Sequence, residues 1–300
     1  MRKTAMVFGG SGFLGSYVCD ELGDKGYRTV SADLKDSPWR RSDQEFCRCN
    51  ILDVREIEEL FQRFPADFVF NFAAMADLEE GMFQPVQTME TNVLGNLKIL
   101  ECCKKRSIER FVYASSAYAF SDKGSFYGIS KYTSEKIVEE YFQRFGLKFT
   151  IIRYGSLYGE RADERNYIYK MLSSALATGR LECRGDGEEV REYIHAHDAA
   201  RLTAGILEDD RFVNEHIILT GTERFKRMEL LTMVREILGN RPVIEKTSDE
   251  YAGHYKMTPY SYHPTVAKKL VANPYIDIGQ GLVECIRHIC EQNAQAGTDG

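Results

Sequence analysis

Short apolar runs alternate with longer amphipathic stretches through the first half of the chain. Thr4–Phe8 is wholly apolar after its first residue and precedes a glycine-rich turn, Gly9–Gly15. A helical pattern over Phe13–Lys25 follows and stops at Gly26; Thr29–Ala32 is a second strand ending in Asp33. The same alternation predicts strands near Phe46–Ile51, Phe68–Phe72, Arg110–Ala114 and Lys148–Tyr154. Between them it predicts helices over Val54–Phe64, Thr91–Lys105 and Gly128–Phe145. Parallel strands joined by helices on both faces of one sheet follow from that order.

Beyond Gly159 the pattern loosens. A helix is predicted over Tyr167–Thr178, a glycine and acidic loop at Gly185–Glu189, and a strand and helix near Tyr193–Leu207. Asp53 with Glu56 three residues on reads as a helix capping box. The tail over residues 291–300, rich in Gln, Ala and Gly, lacks periodicity and reads as disordered.

The turn at Gly9-x-x-Gly12-x-x-Gly15 lies between a strand and a helix. There the glycines allow a tight turn, close approach of a pyrophosphate and close packing of helix on strand, and the helix N-terminus offers amides to phosphate. Asp33, at the end of the second strand, is placed to accept hydrogen bonds from the adenosine ribose and to repel a 2′-phosphate. The expected cofactor is therefore NAD in preference to NADP, although Lys35, Arg40 and Arg41 lie close by.

The fold expected is α/β: a Rossmann-type doubly wound parallel sheet with a smaller mixed α/β C-terminal substrate lobe. Residues 1–160 would form the NAD-binding domain, with 190–220 returning to it. Residues 161–189 and 221–290 would form the substrate lobe.

Tyr127 and Lys131 are four residues apart at the start of a predicted helix, just after the strand ending in Ser115-Ser116. That spacing stacks them one turn apart on one face. A phenol is a poor base at neutral pH, but a neighbouring ammonium favours the phenolate. The expected roles are Tyr127 as the base that takes a sugar hydroxyl proton, Ser116 as a hydrogen-bond partner of the same oxygen, and Lys131 as the cation that also holds the nicotinamide ribose.

With 300 residues, 43% of them hydrophobic and 28% charged, the chain has the makeup of an ordinary globular protein. Its net charge of −6 argues against a nucleic-acid partner, and Lys104-Lys105-Arg106 reads as a solvated helix end. The eight cysteines lack zinc-type spacing and read as free thiols. No apolar run reaches the roughly 20 residues of a membrane span, and the N-terminus runs straight into a strand. A cytoplasmic protein without metal or membrane partner is expected.

Together these motifs resemble the extended short-chain dehydrogenase/reductase superfamily, in particular its NAD-dependent nucleotide-sugar epimerases and dehydratases. Further residues carrying the resemblance are Phe72-Ala73-Ala74, Thr91-Asn92-Val93-x-Gly95, Arg153-Tyr154-Gly155-x-x-Tyr158-Gly159 and Gly185-Asp186-Gly187-x-x-x-Arg191-Glu192-Tyr193-Ile194-His195. The resemblance implies that Phe13, Leu14, Leu34, Asn50, Ile51, Phe72, Ala73, Ala74 and Tyr154 line the cofactor, with Asn92 steadying the active-site backbone. It implies a nucleotide-diphosphate sugar as substrate, with Arg191 clamping the diphosphate and Asn166 touching the same group. The other reading of Arg191 is a salt bridge to a neighbouring Glu. Tyr260, with Tyr262 and His263, falls where relatives approach the nucleotide.

Departures qualify the likeness. Asn50 and Ser156 replace the usual Asp and Asn, and the Ser116–Tyr127 segment is short. Ala117-Tyr118 stand where sugar dehydratases carry an Asp-Glu pair, which disfavours loss of water. His195-x-His197-Asp198 reads as a strand end with Asp198 capping the next helix, rather than as a metal site. Three outcomes stay open: a 4-epimerase, a 4-dehydrogenase releasing a keto sugar from a substrate such as a GDP-heptose, and a non-catalytic NAD-binding regulator. The helices Thr91–Lys105 and Gly128–Phe145 resemble those that pair subunits in this group, so a homodimer is expected.

Overall fold

The computed structural model describes residues 2–121, 123–247 and 268–298. Its strands are β1 (Thr4–Phe8), β2 (Arg28–Asp33), β3 (Glu45–Arg48), β4 (Phe68–Asn71), β5 (Arg110–Ser116), β6 (Phe149–Tyr154), β7 (Ser156–Tyr158), β8 (Arg180–Arg184), β9 (Val190–His195), β10 (Glu215–Leu219), β11 (Arg224–Lys226), β12 (Val243–Thr247) and β13 (Lys268–Leu270). The α-helices are α1 (Phe13–Asp24), α2 (Val54–Arg63), α3 (Leu78–Phe83), α4 (Pro85–Met89), α5 (Asn96–Cys103), α6 (Ser125–Phe145), α7 (Tyr167–Thr178), α8 (Ala196–Gly205), α9 (Arg227–Ile237) and α10 (Ile278–Thr298).

Eight strands form one parallel sheet in the order β13-β10-β6-β5-β4-β1-β2-β3. Every residue of β1, β4, β5 and β6 is buried, as central parallel strands covered on both faces must be. Side chains alternate between the two cores with period two. Met6 and Phe8 of β1 pack with α2, α5 and α6, while Ala5 and Val7 pack with α1 and α8. This is the doubly wound Rossmann-type sheet. Its order reverses between β2 and β4, the neighbours of β1, which opens a crevice at the strands' C-terminal ends.

The smaller lobe has its own core, in which Leu172, Leu181, Leu230, Val234 and Leu282 meet. It carries the short sheets β11-β9-β7 and β12-β8. Among the described residues no helix is long and apolar enough to cross a membrane. All eight cysteines are free thiols, as the sequence indicated.

Four expectations are corrected. The helix expected over Thr91–Lys105 is preceded by α3 and α4 and enters α5 through a π-helical turn at Glu90–Gly95. That widened turn brings Gly95 against Ile51, where a Cβ would lie 2.6 Å from the Ile51 side chain. At α2, Asp53 caps by accepting from the Arg55 amide at 2.9 Å, but Glu56 turns outward to the Asn50 amide and Arg48, so no capping box closes. At α8, His195 does the capping, while the buried Asp198 accepts from the Ile276 amide at 2.6 Å and from Arg201. Lastly, the tail is helical to Thr298. Ile278, Leu282, Cys285 and Ile289 anchor α10 in the lobe core, and good helix formers prolong it.

Candidate active site

The glycine turn closes the end of β1 against β2 and β4. Gly9 donates to the Ala32 carbonyl at 2.9 Å and has φ +77°, and its missing Cβ would lie 2.5 Å from the Ala73 nitrogen. A Cβ on Gly15 would lie 2.1 Å from the Gly9 carbonyl oxygen. Glycine at these positions lets α1 begin directly over the crevice. Gly12 is the N-cap of α1 and offers no side chain, and the first turn carries no acidic residue. The amides around Phe13 and Leu14 are thus left to bind an anion.

Asp33 accepts from the amides of Ser11 at 3.0 Å and Leu34 at 2.7 Å. Burial pushes its carboxyl above the usual range while those two amides pull the other way. Leu34 is exposed at the crevice mouth and Ile51 is buried. The Asn50 side chain accepts from the Leu52 amide at 3.0 Å, which shapes the turn after β3. Glycines that leave room for a diphosphate, an uncapped helix start and a carboxylate at the end of β2 together fit a dinucleotide.

On the other side of the crevice, Phe72 donates to the Phe8 carbonyl at 2.8 Å and Ala73 to the Asn71 side chain at 3.1 Å. Ala74 lies next in this segment. Asn92, from the π-turn, accepts from the Met75 amide at 2.8 Å, donates to the Met75 carbonyl at 3.0 Å, and reaches Ser130 on α6 at 2.9 Å. One side chain thereby fastens the segment after β4 to the helix bearing Tyr127. Tyr154 points its buried hydroxyl to Thr203 at 2.7 Å and packs on Phe72.

Helix α6 starts at Ser125, three residues earlier than the pattern indicated, so Tyr127 and Lys131 both lie inside it. Lys131 is buried, its Nζ donating to the Ala114 carbonyl at 2.7 Å. Burial pushes its amine down to about 7, against the opposing pull of Glu135 one turn further along. Ser116 ends β5, where its hydroxyl accepts from the Tyr118 amide at 3.3 Å; the Tyr118 and Tyr127 rings meet edge to face.

Beneath this surface, Arg153 of β6 grips Glu135 with two hydrogen bonds of 3.0 and 2.8 Å, and Ser115 donates to the same carboxylate. Phe120 covers the Arg153 guanidinium at 3.7 Å. This buried pair was not singled out in the sequence, where its members lie 18 residues apart.

Ser116 and Tyr127 open into a cavity of about 240 Å³ that reaches Asn166, Arg191 and Arg227 in the lobe. A second cavity of about 350 Å³ shares Leu78, Arg165, Tyr167 and Arg227 with it and extends toward Arg180 and Arg184. Asn166 is the N-cap of α7, accepting from the Ile168 and Tyr169 amides and donating to the Leu157 carbonyl at 2.8 Å. Arg191 is ion-paired with Glu189, and Arg227 is ion-paired with the same carboxylate. Arg191 therefore has the neighbouring Glu as partner, yet both line the cavity. Tyr260, Tyr262 and His263 lie outside the described residues.

The two histidines of the His195-x-His197 motif diverge: His197 faces Glu21 at 3.2 Å, whereas buried His195 approaches Glu160 at 3.3 Å and Glu284 at 4.0 Å. His195 Nδ1 accepts from the His197 amide, which assigns the ring proton to Nε2 and aims it at Glu160. Tyr17 donates to Glu160 at 2.6 Å, completing a strut between α1 and the lobe.

Over residues 5–221 the chain matches the NAD dependent epimerase/dehydratase family. It belongs to that family. A UDP-glucose 4-epimerase of Rhizobium leguminosarum bv. trifolii is 27% identical over 279 residues, covering 80% of this chain and 83% of the relative. A UDP-N-acetyl-alpha-D-glucosaminuronate decarboxylase of Bacillus cytotoxicus is 27% identical over 255 residues, covering 76% and 78%. Among solved structures, the UDP-glucose 4-epimerase of Thermus thermophilus in complex with NAD superposes with a TM-score of 0.82 at 24% identity, covering 97% of this chain and 99% of that one. The UDP-glucuronic acid 4-epimerase of Bacillus cereus, in complex with UDP-glucuronic acid and NAD, reaches 0.84 at 23%, covering 96% and 99%. NAD is the cofactor of this family, and the glycine crevice is the part of the chain that fits it.

Proposed function

We propose that this member of the family is an NAD-dependent 4-epimerase of a nucleotide-diphosphate sugar. The observation that carries the reading is one cavity in which Ser116 and Tyr127 face Arg191 and Asn166, with buried Lys131 one turn behind the phenol. Gly9, Gly12, Phe13, Leu14, Gly15, Asp33, Leu34, Asn50, Ile51, Phe72, Ala73, Ala74, Asn92 and Tyr154 form the cofactor side of the crevice. When bound there, NAD supplies an acceptor and donor of hydride.

Tyr127 takes the proton of the C4 hydroxyl as that carbon is oxidised, and returns it when the carbon is reduced from its other face. Ser116 donates a hydrogen bond to the same oxygen. The Lys131 ammonium favours the phenolate and holds the nicotinamide ribose. Arg191 and Asn166 grip the diphosphate. In this reading residues 1–160 with 190–220 form the NAD-binding domain and 161–189 with 221–290 the substrate lobe, and the substrate cavity lies where Ser116 and Tyr127 of the first meet Asn166 and Arg227 of the second.

The 4-epimerases among the relatives support this outcome over the release of a keto sugar. Incubation with UDP-glucose, UDP-galactose and other nucleotide sugars should interconvert C4 epimers without accumulating NADH. Stoichiometric NADH with a released keto sugar would instead identify a dehydrogenase. Tyr127→Phe should abolish turnover while NAD binding persists; full activity in that variant overturns the role of Tyr127.

We also propose a homodimer. The outer face of α6 exposes Phe126, Ile129 and Tyr132 at intervals of three residues, next to exposed Leu94 of the π-turn. Apolar side chains arrayed in this way favour pairing with a second copy.

A further inference from the structure

Glu189 and Arg191 lie two apart at the start of β9 and both face the cavity, where Arg227 enters from the first turn of α9. The three form one cluster, with the single carboxylate of Glu189 bridging both guanidiniums. All three side chains are largely buried, at 8% exposure for Arg191, 17% for Glu189 and 12% for Arg227. The backbone fixes this meeting. The Arg227 amide donates to the Glu189 carbonyl at 2.8 Å, and β11 pairs antiparallel with β9 just before the chain enters α9. Tyr167 lies beneath the Arg227 guanidinium, 5.1 Å from ring centre to carbon, and keeps it turned into the cavity.

In this largely buried cluster two guanidiniums share the single Glu189 carboxylate. Such a cluster requires a counter-ion at rest, since an unpaired buried guanidinium is costly. A diphosphate carries more charge and more acceptor oxygens than a carboxylate, and guanidiniums bind it through paired hydrogen bonds.

We propose that Arg227 is a second binding residue for the substrate diphosphate, and that Glu189 is a resident counter-charge which the diphosphate displaces from between Arg191 and Arg227. The inference rests on the nucleotide-sugar reading above and adds to it a residue and an exchange. Ligand entry becomes a replacement of one anion by another. Glu189 lowers affinity at the same time as it keeps the empty pocket folded.

The test is calorimetric titration of the NAD-loaded protein with UDP, and with inorganic pyrophosphate as a competitor that carries the anion alone. Arg227→Ala and Arg227→Gln should each weaken both ligands about tenfold, equivalent to ~1.4 kcal/mol. Glu189→Gln, which removes the competing charge, should tighten both by roughly threefold or more. Melting curves establish that each variant is folded, and the Gln variant stands in if the Ala variant is not. Equal affinity in wild type and the Arg227 variants, a loss confined to UDP, or a weaker UDP complex in Glu189→Gln overturns the proposal, as does a wild-type chain that binds neither ligand. A chain that binds UDP through Arg227 yet converts no nucleotide sugar would refute the hydride-transfer reading and leave this one standing. Sugar turnover with unchanged UDP binding in the Arg227 variants would do the reverse.

Discussion

The Nζ of Lys131 lies 5.7 Å from the centre of the Tyr127 ring and 5.1 Å from that of Tyr113, with its hydrogen bond spent on the Ala114 carbonyl. An amine wedged between two rings and a carbonyl, away from water, is strained toward its neutral form. The same position makes its positive charge, when present, act strongly on the phenol beside it.

Folding stability should record that strain. The amine titrates at about 7 in the folded chain and near its ordinary 10.5 when unfolded. Between those values the unfolded chain binds more protons, so stability rises with pH, by at most ~1.4 kcal/mol per pH unit. Below about pH 7 the penalty is fully present and constant. Urea denaturation of the cofactor-free chain from pH 7 to 9 should show this gain relative to Lys131→Met; parallel curves for the two proteins would contradict it.

Glu135 and Arg153 are both nearly inaccessible, at 0% and 3% exposure. Removing one partner strands a buried charge, so Glu135→Ala should cost about 3–5 kcal/mol in denaturant unfolding. Replacing the two together, by Glu135→Leu with Arg153→Met, should recover most of that loss. A single substitution costing under about 1 kcal/mol would show that the pair does not anchor α6.

Asp33 presents its carboxylate at the end of β2 with two backbone amides behind it. Asp33→Asn keeps an acceptor and removes the charge that repels a 2′-phosphate. Fluorescence titration should find NAD binding weakened and NADP binding strengthened, narrowing the ratio of their affinities by roughly tenfold or more. An unchanged ratio would remove Asp33 from cofactor choice.

Ile129 is 54% exposed on the face of α6 proposed to pair subunits. Ile129→Glu should convert a dimer to a monomer in light scattering at micromolar concentration, with the melting curve of the isolated subunit little changed. A wild-type monomer, or a dimer indifferent to the substitution, would place subunit contact elsewhere or nowhere.

Central strands were legible because burial on both faces leaves an uninterrupted apolar run, as in Ala5–Phe8. Tyr127 and Lys131 were legible because four residues on a helix make one turn. What escaped notice depended on meetings that no local pattern encodes. Glu189 and Arg227 belong to different elements of the lobe, and either alone is an ordinary surface charge. The path from Leu78 to Gly95 was obscured because Pro85 starts a new helix and the π-turn breaks the 3.6-residue period. Asp198 has the composition of a cap, but the Ile276 amide drew it into the lobe interface. The tail lacks an apolar stripe after Ile289, so its helix is inherited from the anchored turns before it.

Because Glu135 is clasped from the sheet side by Arg153 and Ser115, α6 is keyed like a shaft in a slot. A one-residue slip would rotate it by about 100° and carry the phenol out of the cavity altogether. Drift in sequence can therefore reshape the cavity-facing wall freely, while the hidden side of the same helix must hold its angle.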